Sequence, residues 1–398
     1  MKNTSPDGVG VRFVRGYDDV RELRSTWQAL PGDAITADFD FVHAVLATRG
    51  EEAEPAVLVV EREERPVGMV IARIEPTALP LQIGYRRVYS PRFRTLNVVY
   101  RGLRGSVGGD ESAAVTDELL RVLRETDVEL VVLRRLDLAH PLYGATTARP
   151  SRVVRQLYTR VGVAWERSLP GSFDDFMASL SKSTRSGVRR YAKALEREFD
   201  GRLEVRRFTG IEDLDTYLRD ADAVAATSYQ RGLGVGVRND EAQRLRTELS
   251  MQKGWFRAYV LYLDGTPVAF CGGDAYGGRF HYGIPGYDPA YRAHRVGTYV
   301  LMKMIEDLCA DDSVHVLDFG AGDAEYKRRF GDRSWNEADV HLFRPRARPV
   351  FANVARAGIL ATNDGLKRVV GRAGAVDRVK RRWRDRKRSE GAPTADDL

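Results

Sequence analysis

The sequence predicts a two-domain α/β protein built from a duplicated unit, followed by a basic helical tail. Three observations carry that expectation. Helical and strand-like patterns alternate along most of the 398 residues, and at ~150 residues per domain such a length suits two or three domains. Val57–Ile74, VLVVEREERPVGMVIARI, is echoed by Ala258–Ala275, AYVLYLDGTPVAFCGGDA, with Pro66-Val67 and Pro267-Val268 at the same place 201 residues apart. The two echoes also occupy similar positions in similar element orders, which makes duplication the better explanation.

In chain order, 18–29 reads as an amphipathic helix opened by acidic residues at its positive end. Residues 55–61 and 67–74 read as a hairpin with a charged turn, and 83–90 and 96–100 as further strands. A glycine-rich loop with Gly102, Gly105, Gly108 and Gly109 then leads into a helix, followed by strands at 129–136 and 161–168. The stretch from Ser172 to Phe199 reads as helix, capping break, helix, with Ser183 or Thr184 able to cap the second. Helical patterns at 211–228 and 240–253 precede strands at 256–263, 267–276 and 279–284. A helix over 297–310 and a buried strand at 314–320 close the pattern.

Composition removes several functions. Cys271 and Cys309 are too few for a disulfide framework or a multi-thiolate metal site, and the six histidines show no metal-binding helical pair. No metal is expected. No apolar run approaches the ~20 residues of a membrane span, and the N-terminus lacks a signal-peptide core, so a cytoplasmic protein is expected. The net charge of +7 is a tail property: residues 367–388 carry eleven Lys/Arg against Asp377 and Asp385. Apolar residues at near-helical spacing in that run (Leu366, Val369, Val370, Val376, Val379, Trp383) leave two readings open. One is a helix packed on the body. The other is peripheral contact with an anionic membrane at its inner face. Nucleic acid is disfavoured, because no aromatic platform accompanies the charge.

The chemistry concentrates in 279–331. Gly283-Ile284-Pro285-Gly286 interrupts a strand and leaves main-chain groups for a ligand. Arg292 to Thr298 forms a basic, glycine-containing loop directly before an apolar-periodic helix. A helix N-terminus there presents N–H groups and a positive dipole end to an anion such as pyrophosphate. Acyl transfer to an amine needs a base, oxyanion donors and an acid for the leaving thiolate. Gly283 and Ile284 are candidate backbone donors, His281 and Asp288 candidate bases, and Tyr326 the candidate acid. Each also has a purely structural reading: His281 as core filling, Asp288 as a turn cap and Tyr326 as strand packing.

Arg292-Ala293-His294-Arg295-Val296-Gly297 resembles the Arg/Gln-x-x-Gly-x-Gly/Ala pyrophosphate loop of the GCN5-related N-acetyltransferase (GNAT) superfamily, with Arg295 at the first glycine position. Ala324 to Gly331 resembles its Ala-x-x-Tyr-x-x-x-Gly-Phe helix, and the tyrosine that protonates the thiolate there maps onto Tyr326. The hairpin at 264–270, Tyr287-Asp288, Asp318-Phe319-Gly320-x-Gly322-Asp323 and Tyr326-Lys327 together resemble the CelD-like acetyltransferase family, related to the tandem-domain Fem peptidyltransferases. The resemblance covers about 170–343 well and the N-terminal half loosely. It implies tandem acetyltransferase-like domains with mixed central sheets flanked by helices: an N-terminal domain at 1–168, a C-terminal domain with the donor site at 169–345, and a basic tail at 346–398. It implies acetyl-CoA as acyl donor, held at Gly283, Ile284, Arg292, Arg295, Val296, Gly297, Thr298 and Lys327. An amine acceptor, an amino sugar or other cell-envelope polysaccharide precursor, is expected near Arg185, Arg189, Asp318 and Asp323. Lys327 has a second reading, a solvated basic face shared with Arg328 and Arg329.

Two alternatives stay open: an aminoacyl-tRNA-dependent Fem-like transferase, and a non-catalytic membrane-associated scaffold of a polysaccharide pathway. VLDFGAGDA also resembles the first motif of methyltransferases that use S-adenosylmethionine. Too little chain follows Gly322 for the further strands such a sheet needs. Asp-Phe-Gly lacks the preceding His-Arg-Asp loop of a kinase.

Overall fold

A computed structural model describes residues 3–4, 8–83, 86–227 and 236–372. Its strands, in chain order, are β1 (Val9–Arg15), β2 (Glu54–Arg62), β3 (Arg65–Ala78), β4 (Arg92–Gly105), β5 (Leu130–Asp137), β6 (Val161–Ser168), β7 (Leu203–Phe208), β8 (Phe256–Leu263), β9 (Thr266–Tyr276), β10 (Arg279–Tyr282), β11 (Gly286–Tyr287), β12 (Val316–Ala321) and β13 (Arg333–Phe343). The helices used below are α1 (Phe39–Ala47), α2 (Gly109–Glu125), α3 (Phe173–Ser179), α4 (Lys182–Glu198), α5 (Leu214–Thr227), α6 (Glu241–Gln252), α7 (Val296–Cys309), α8 (Glu325–Phe330) and α9 (Ala347–Arg372). The described residues divide into two compact units: those up to Gly32, Thr36–Gly162 and those from Asn336 onward form one, and Asp33–Ile35 with the described part of Val163–Trp335 the other.

In the first unit the strand order is β1-β2-β3-β4-β5-β13. Neighbours are antiparallel except β4 and β5, which run parallel from Thr95–Leu130 to Val98–Leu133. In the second unit the order is β6-β12-β10-β9-β8-β7, with β11 also on β9, and the parallel pair is β10 with β12. Both are mixed sheets with helices against them, the architecture expected from the sequence. The assignment of 333–343 differs. The sequence boundary at 345 placed it in the second domain, whereas most of β13 pairs with β5 and so completes the first sheet.

The Pro-Val echo has a physical basis. In both hairpins the two-residue turn has positive φ at each position, Glu63-Glu64 and Asp264-Gly265, the type I′ geometry that matches strand twist. In both, a bulge follows the proline. Val60 pairs with Gly68 and Glu61 with Pro66, skipping Val67, and Leu261 pairs with Ala269 and Tyr262 with Pro267, skipping Val268. Proline has no N–H for the ladder, so the register slips where it stands.

Two apolar layers sandwich the second sheet. Val296, Val300, Leu301, Met304, Ile305 and Leu308 of α7 pack with Phe176, Leu195, Cys271, Phe280 and Leu317 on one face. On the other, Leu218, Ala221 and Val224 of α5 and Met251 of α6 pack with Phe208, Phe256, Val260 and Phe270. This is the helical spacing meeting strand alternation from two sides. Truncating a residue such as Ile305 or Leu317 to Ala removes about 2–5 kcal/mol.

Some local expectations change. The helix expected over 18–29 is broken at Leu23 into Tyr17–Glu22 and Arg24–Ala29. Ser181, not Ser183 or Thr184, caps α4, its hydroxyl accepting from Thr184 N at 3.2 Å. Of the strand expected over 83–90, Ile83 and Arg86–Tyr89 lie in a small separate two-stranded sheet, Leu81–Ile83 with Arg86–Tyr89. The tail is helical from Ala347 to Arg372. Beyond that, the basic run and the membrane contact expected of it lie outside the described residues. No helix among the described residues is long and apolar enough to cross a membrane.

Candidate active site

The site forms where β10 and β12 part. They pair in parallel through Arg279–Val316, Phe280–Leu317 and His281–Asp318, and β10 ends at Tyr282. The neighbouring β9 pairs with Tyr282 through Gly273, then with Gly286 through Phe270. The strand therefore ends at Tyr282, two residues earlier than the expected 284, and Ile284 and Pro285 leave the ladder. Pro285 has no N–H to pair. Gly283 N is used, donating to Gly272 O at 2.8 Å, so of the two expected backbone donors only Ile284 N–H stays outside the ladder. Gly286 is obligatory in bringing the chain back, because a Cβ there would lie 2.3 Å from the Phe270 ring.

A 3-10 turn over Pro289–His294 then feeds α7. Asp288 caps this turn, accepting from Ala290 N at 2.9 Å. Of its two readings, the cap is the one realised. Arg295 sits at the α7 N-cap in the left-handed region, φ 55° and ψ 34°, a conformation that costs a residue with a Cβ roughly 1–2 kcal/mol. That strain explains why a glycine suits the position. The Arg295 guanidinium lies over the Tyr191 ring of α4, 5.5 Å from its centroid. Arg295 O accepts from Thr298 N at 2.9 Å and Tyr299 N at 3.1 Å. No side chain caps α7, so the N–H groups of Val296 and Gly297 are donors without an intrahelical acceptor. Val296 brings only its backbone, since its side chain is fully buried. Arg292 is exposed beside them.

Tyr326 lies on the α7 face of the sheet. It packs edge-on against Tyr282 and Phe319, centroids 6.2 and 5.9 Å away. Burial pushes its phenol up to about 12, and Tyr282 well above its usual range. Lys327 behaves otherwise than expected. It is buried and donates to Gly320 O at 3.2 Å and Ala321 O at 2.6 Å, tying down the loop after β12. It is neither a phosphate ligand nor part of a solvated face; Arg328 and Arg329 form that face, paired with Asp323 and Glu325.

His281 lies on the opposite face. Its Nε2 is 2.7 Å from Asp33 O, within the same unit, and its Nδ1 3.7 Å from Asp318 Oδ2. Asp318 is buried and accepts from Gly320 N at 2.8 Å, which makes it a partner of His281 and the loop rather than an open acceptor contact. Arg185 donates to Ala178 O at 2.9 Å and Met177 O at 3.4 Å, closing the end of α3. Arg189 instead lines a cleft of about 150 Å³ between α4 and α7, with Tyr191, His294, Arg295 and Thr298. The sequence reading missed Asp274, Glu166 and Arg279, which share the His281 face by register. They lie on three different strands, so no local motif links them.

In the first unit the parallel pairing ends at Val98–Leu133, and the charged side chains that follow on β5 are paired with β13. Arg134 pairs with Asp339 at 3.2 Å and Arg135 with Glu337 at 3.2 Å. The glycine-rich loop starts α2 with Asp110 and Glu111 in the first turn, and Glu111 pairs with Arg62. Carboxylates there compete with an incoming phosphate for the helix end. Among the described residues no cluster of His, Cys, Asp and Glu fits a metal.

Residues 182–328 match the family model of an acetyltransferase (GNAT) domain. Among solved structures the chain is similar to FemX, with TM-score 0.56, 9% identity, and coverage of 86% of this chain and 100% of that one. It is also similar to a tandem GNAT protein from the clavulanic acid biosynthesis pathway, with TM-score 0.49, 13% identity, and coverage of 85% and 99%. No curated protein matches the sequence. The matched segment lies in the second unit and includes most of its mixed sheet, and the match supports an acyltransferase.

Proposed function

We propose that the second unit moves an acyl group, most simply acetyl from acetyl-CoA, to an amine. One observation carries this reading: a parallel strand pair opens at His281 and Asp318 beside a helix end with two unmatched N–H groups and exposed arginines. In this reading Val296 N–H, Gly297 N–H, Arg292 and Arg295 receive the pyrophosphate, with Thr298 at their edge. The thioester lies in the strand opening, and Ile284 N–H is the donor for charge developing on its oxygen. The amine nitrogen attacks the carbonyl carbon and gives its proton to His281. The carbon–sulfur bond breaks and sulfur takes the Tyr326 proton. His281 and Tyr326 lie on opposite faces of the sheet, so attack and departure occur from opposite sides.

The acceptor in this reading is an amino sugar or other cell-envelope precursor, the class the CelD-like resemblance implies, with Arg189 and Asp323 the exposed groups left to meet it. The test is release of free thiol from acetyl-CoA across a panel of amino sugars and amines. An amine that accelerates release in the wild type and not in His281→Gln supports the reading. Acceleration that persists undiminished in the variant contradicts the role of His281.

A further inference from the structure

Four ionisable side chains form a row across the second sheet. Register sets Asp274 of β9 opposite His281 of β10, His281 opposite Asp318 of β12, and Asp318 opposite Glu166 of β6. Glu166 is held by Arg279 at 2.7 Å and Arg333 at 3.1 Å, and Asp318 by the Gly320 amide at 2.8 Å. Asp274 is different. Its Oδ1 is sealed from solvent with no hydrogen-bond partner, although the Ser250 hydroxyl bonds its carboxyl. A buried carboxylate oxygen without a partner is costly, so folding alone gives no reason to keep one.

Directly opposed residues of an antiparallel pair have Cβ atoms about 5 Å apart, which makes His281 the cross-strand neighbour of that oxygen. The ring nitrogen against Asp33 O must carry hydrogen, because a carbonyl only accepts. In the neutral ring Nδ1 is then the unprotonated atom. We propose that Asp274 and His281 act as one proton-accepting pair, in which His281 Nδ1, 3.7 Å from Asp318 Oδ2, takes the amine proton and the Asp274 carboxylate, directly across the strand pair, stabilises the imidazolium through its charge. This rests on the acyl-transfer reading above and adds Asp274 to it as a positioning residue. The balance is complete: the nitrogen lone pair forms the new C–N bond, the C–S bond breaks with its electron pair going to sulfur, which takes the Tyr326 proton, and the amine proton goes to Nδ1, leaving the N–H pair on nitrogen.

The surroundings of Asp274 suit that task. His281 faces it from β10, Ser250 and Arg246 from α6, and Tyr217 from α5. Burial raises the carboxyl to about 6, against the opposing pull of Ser250, His281 and Arg246.

The experiment is a carbon-13 titration of aspartate carboxyls in the full chain, comparing wild type, Asp274→Asn and His281→Gln. The pair predicts a carboxyl titrating near pH 6, absent in Asp274→Asn, and moved upward in His281→Gln as the lowering influence of His281 is lost. A resonance unchanged by His281→Gln overturns the pair. Acetyl-CoA calorimetry on the same samples separates the two levels. Absent binding with an intact coupled titration overturns the acyl-transfer reading and the pair's catalytic purpose. An uncoupled titration with binding intact overturns the pair alone. For any acceptor from the thiol-release panel, Asp274→Asn lowers kcat at least tenfold, leaves the KM for acetyl-CoA unchanged and shifts the acid limb of the pH profile. A purely structural Asp274 would leave that limb in place.

Discussion

Tyr326 keeps its proton through neutral pH because burial between Tyr282 and Phe319 raises the phenol to about 12. A leaving thiolate is the base that takes it. Tyr326→Phe keeps the ring packing and removes the proton. Thiol release in the presence of an accepted amine is expected to fall on the order of 10²-fold with acetyl-CoA affinity and melting temperature unchanged. Turnover at the wild-type rate would place the acid elsewhere. Asp274 gives a stability prediction of defined sign. Its folded carboxyl, near 6, lies above the ordinary carboxylate value of 3.8. The folded state therefore binds more protons than the unfolded state between those values, and stability falls as pH rises through the window. Asp274→Asn should be more stable than wild type at pH 7.5, by on the order of 1–3 kcal/mol, with the advantage vanishing near pH 4. Denaturant titration at the two pH values checks it, and an equal difference at both would show that the charge is not the cause. Residue order showed that Tyr326-Lys327 was notable. It did not show that the lysine turns inward to carbonyls of a loop formed only when β12 and α8 meet.

Elements with a uniform apolar period were readable: α7 by its helical spacing, and β8, β9 and β12 by their continuous apolar runs. Strands with mixed character were not. LEVRRF of β7 alternates with charge along a sheet edge, and RSWNEADVHLF of β13 opens polar because its first half is largely exposed. Their pairing is set by partners 50 or more residues away, which no local window holds. The basic, glycine-containing loop before α7 was readable, but the conformation of Arg295 was not, since only glycine would have announced a left-handed residue. Arg295→Gly relieves that strain and removes the contact with Tyr191. Because ~1–2 kcal/mol of strain exceeds the ~0.5–1 kcal/mol of an exposed cation–π contact, the variant should melt at or above the wild-type temperature. A clear loss of stability would mean that the Tyr191 contact outweighs the backbone strain. Gly286→Ala tests the strand break from the other side. A Cβ 2.3 Å from the Phe270 ring should destabilise by about 1–3 kcal/mol and weaken acetyl-CoA binding together, and neutral behaviour in both would show that the break tolerates a side chain.

The duplicated architecture is specialised by its charges. Both units have a parallel pair beside a glycine-containing helix start. In the first, Arg134 and Arg135 of β5 are paired with Asp339 and Glu337 of β13, and Asp110 and Glu111 stand at the helix end. In the second, the helix end lacks carboxylates and has Arg292 and Arg295 beside it. The echo revealed the duplication. The division of roles depended on which side chains the folded sheets bring beside each parallel pair. The proposed donor site predicts one acetyl-CoA per chain, which at a hundredfold excess over Kd should stabilise the fold by about 2.7 kcal/mol. The most direct measurement is calorimetric titration of the full chain with acetyl-CoA, beside an Arg292→Ala, Gly297→Trp variant confirmed as folded. One site, lost in the variant, is the predicted result. Absent binding at millimolar donor, or binding that survives the variant, would contradict a donor site at the α7 N-terminus.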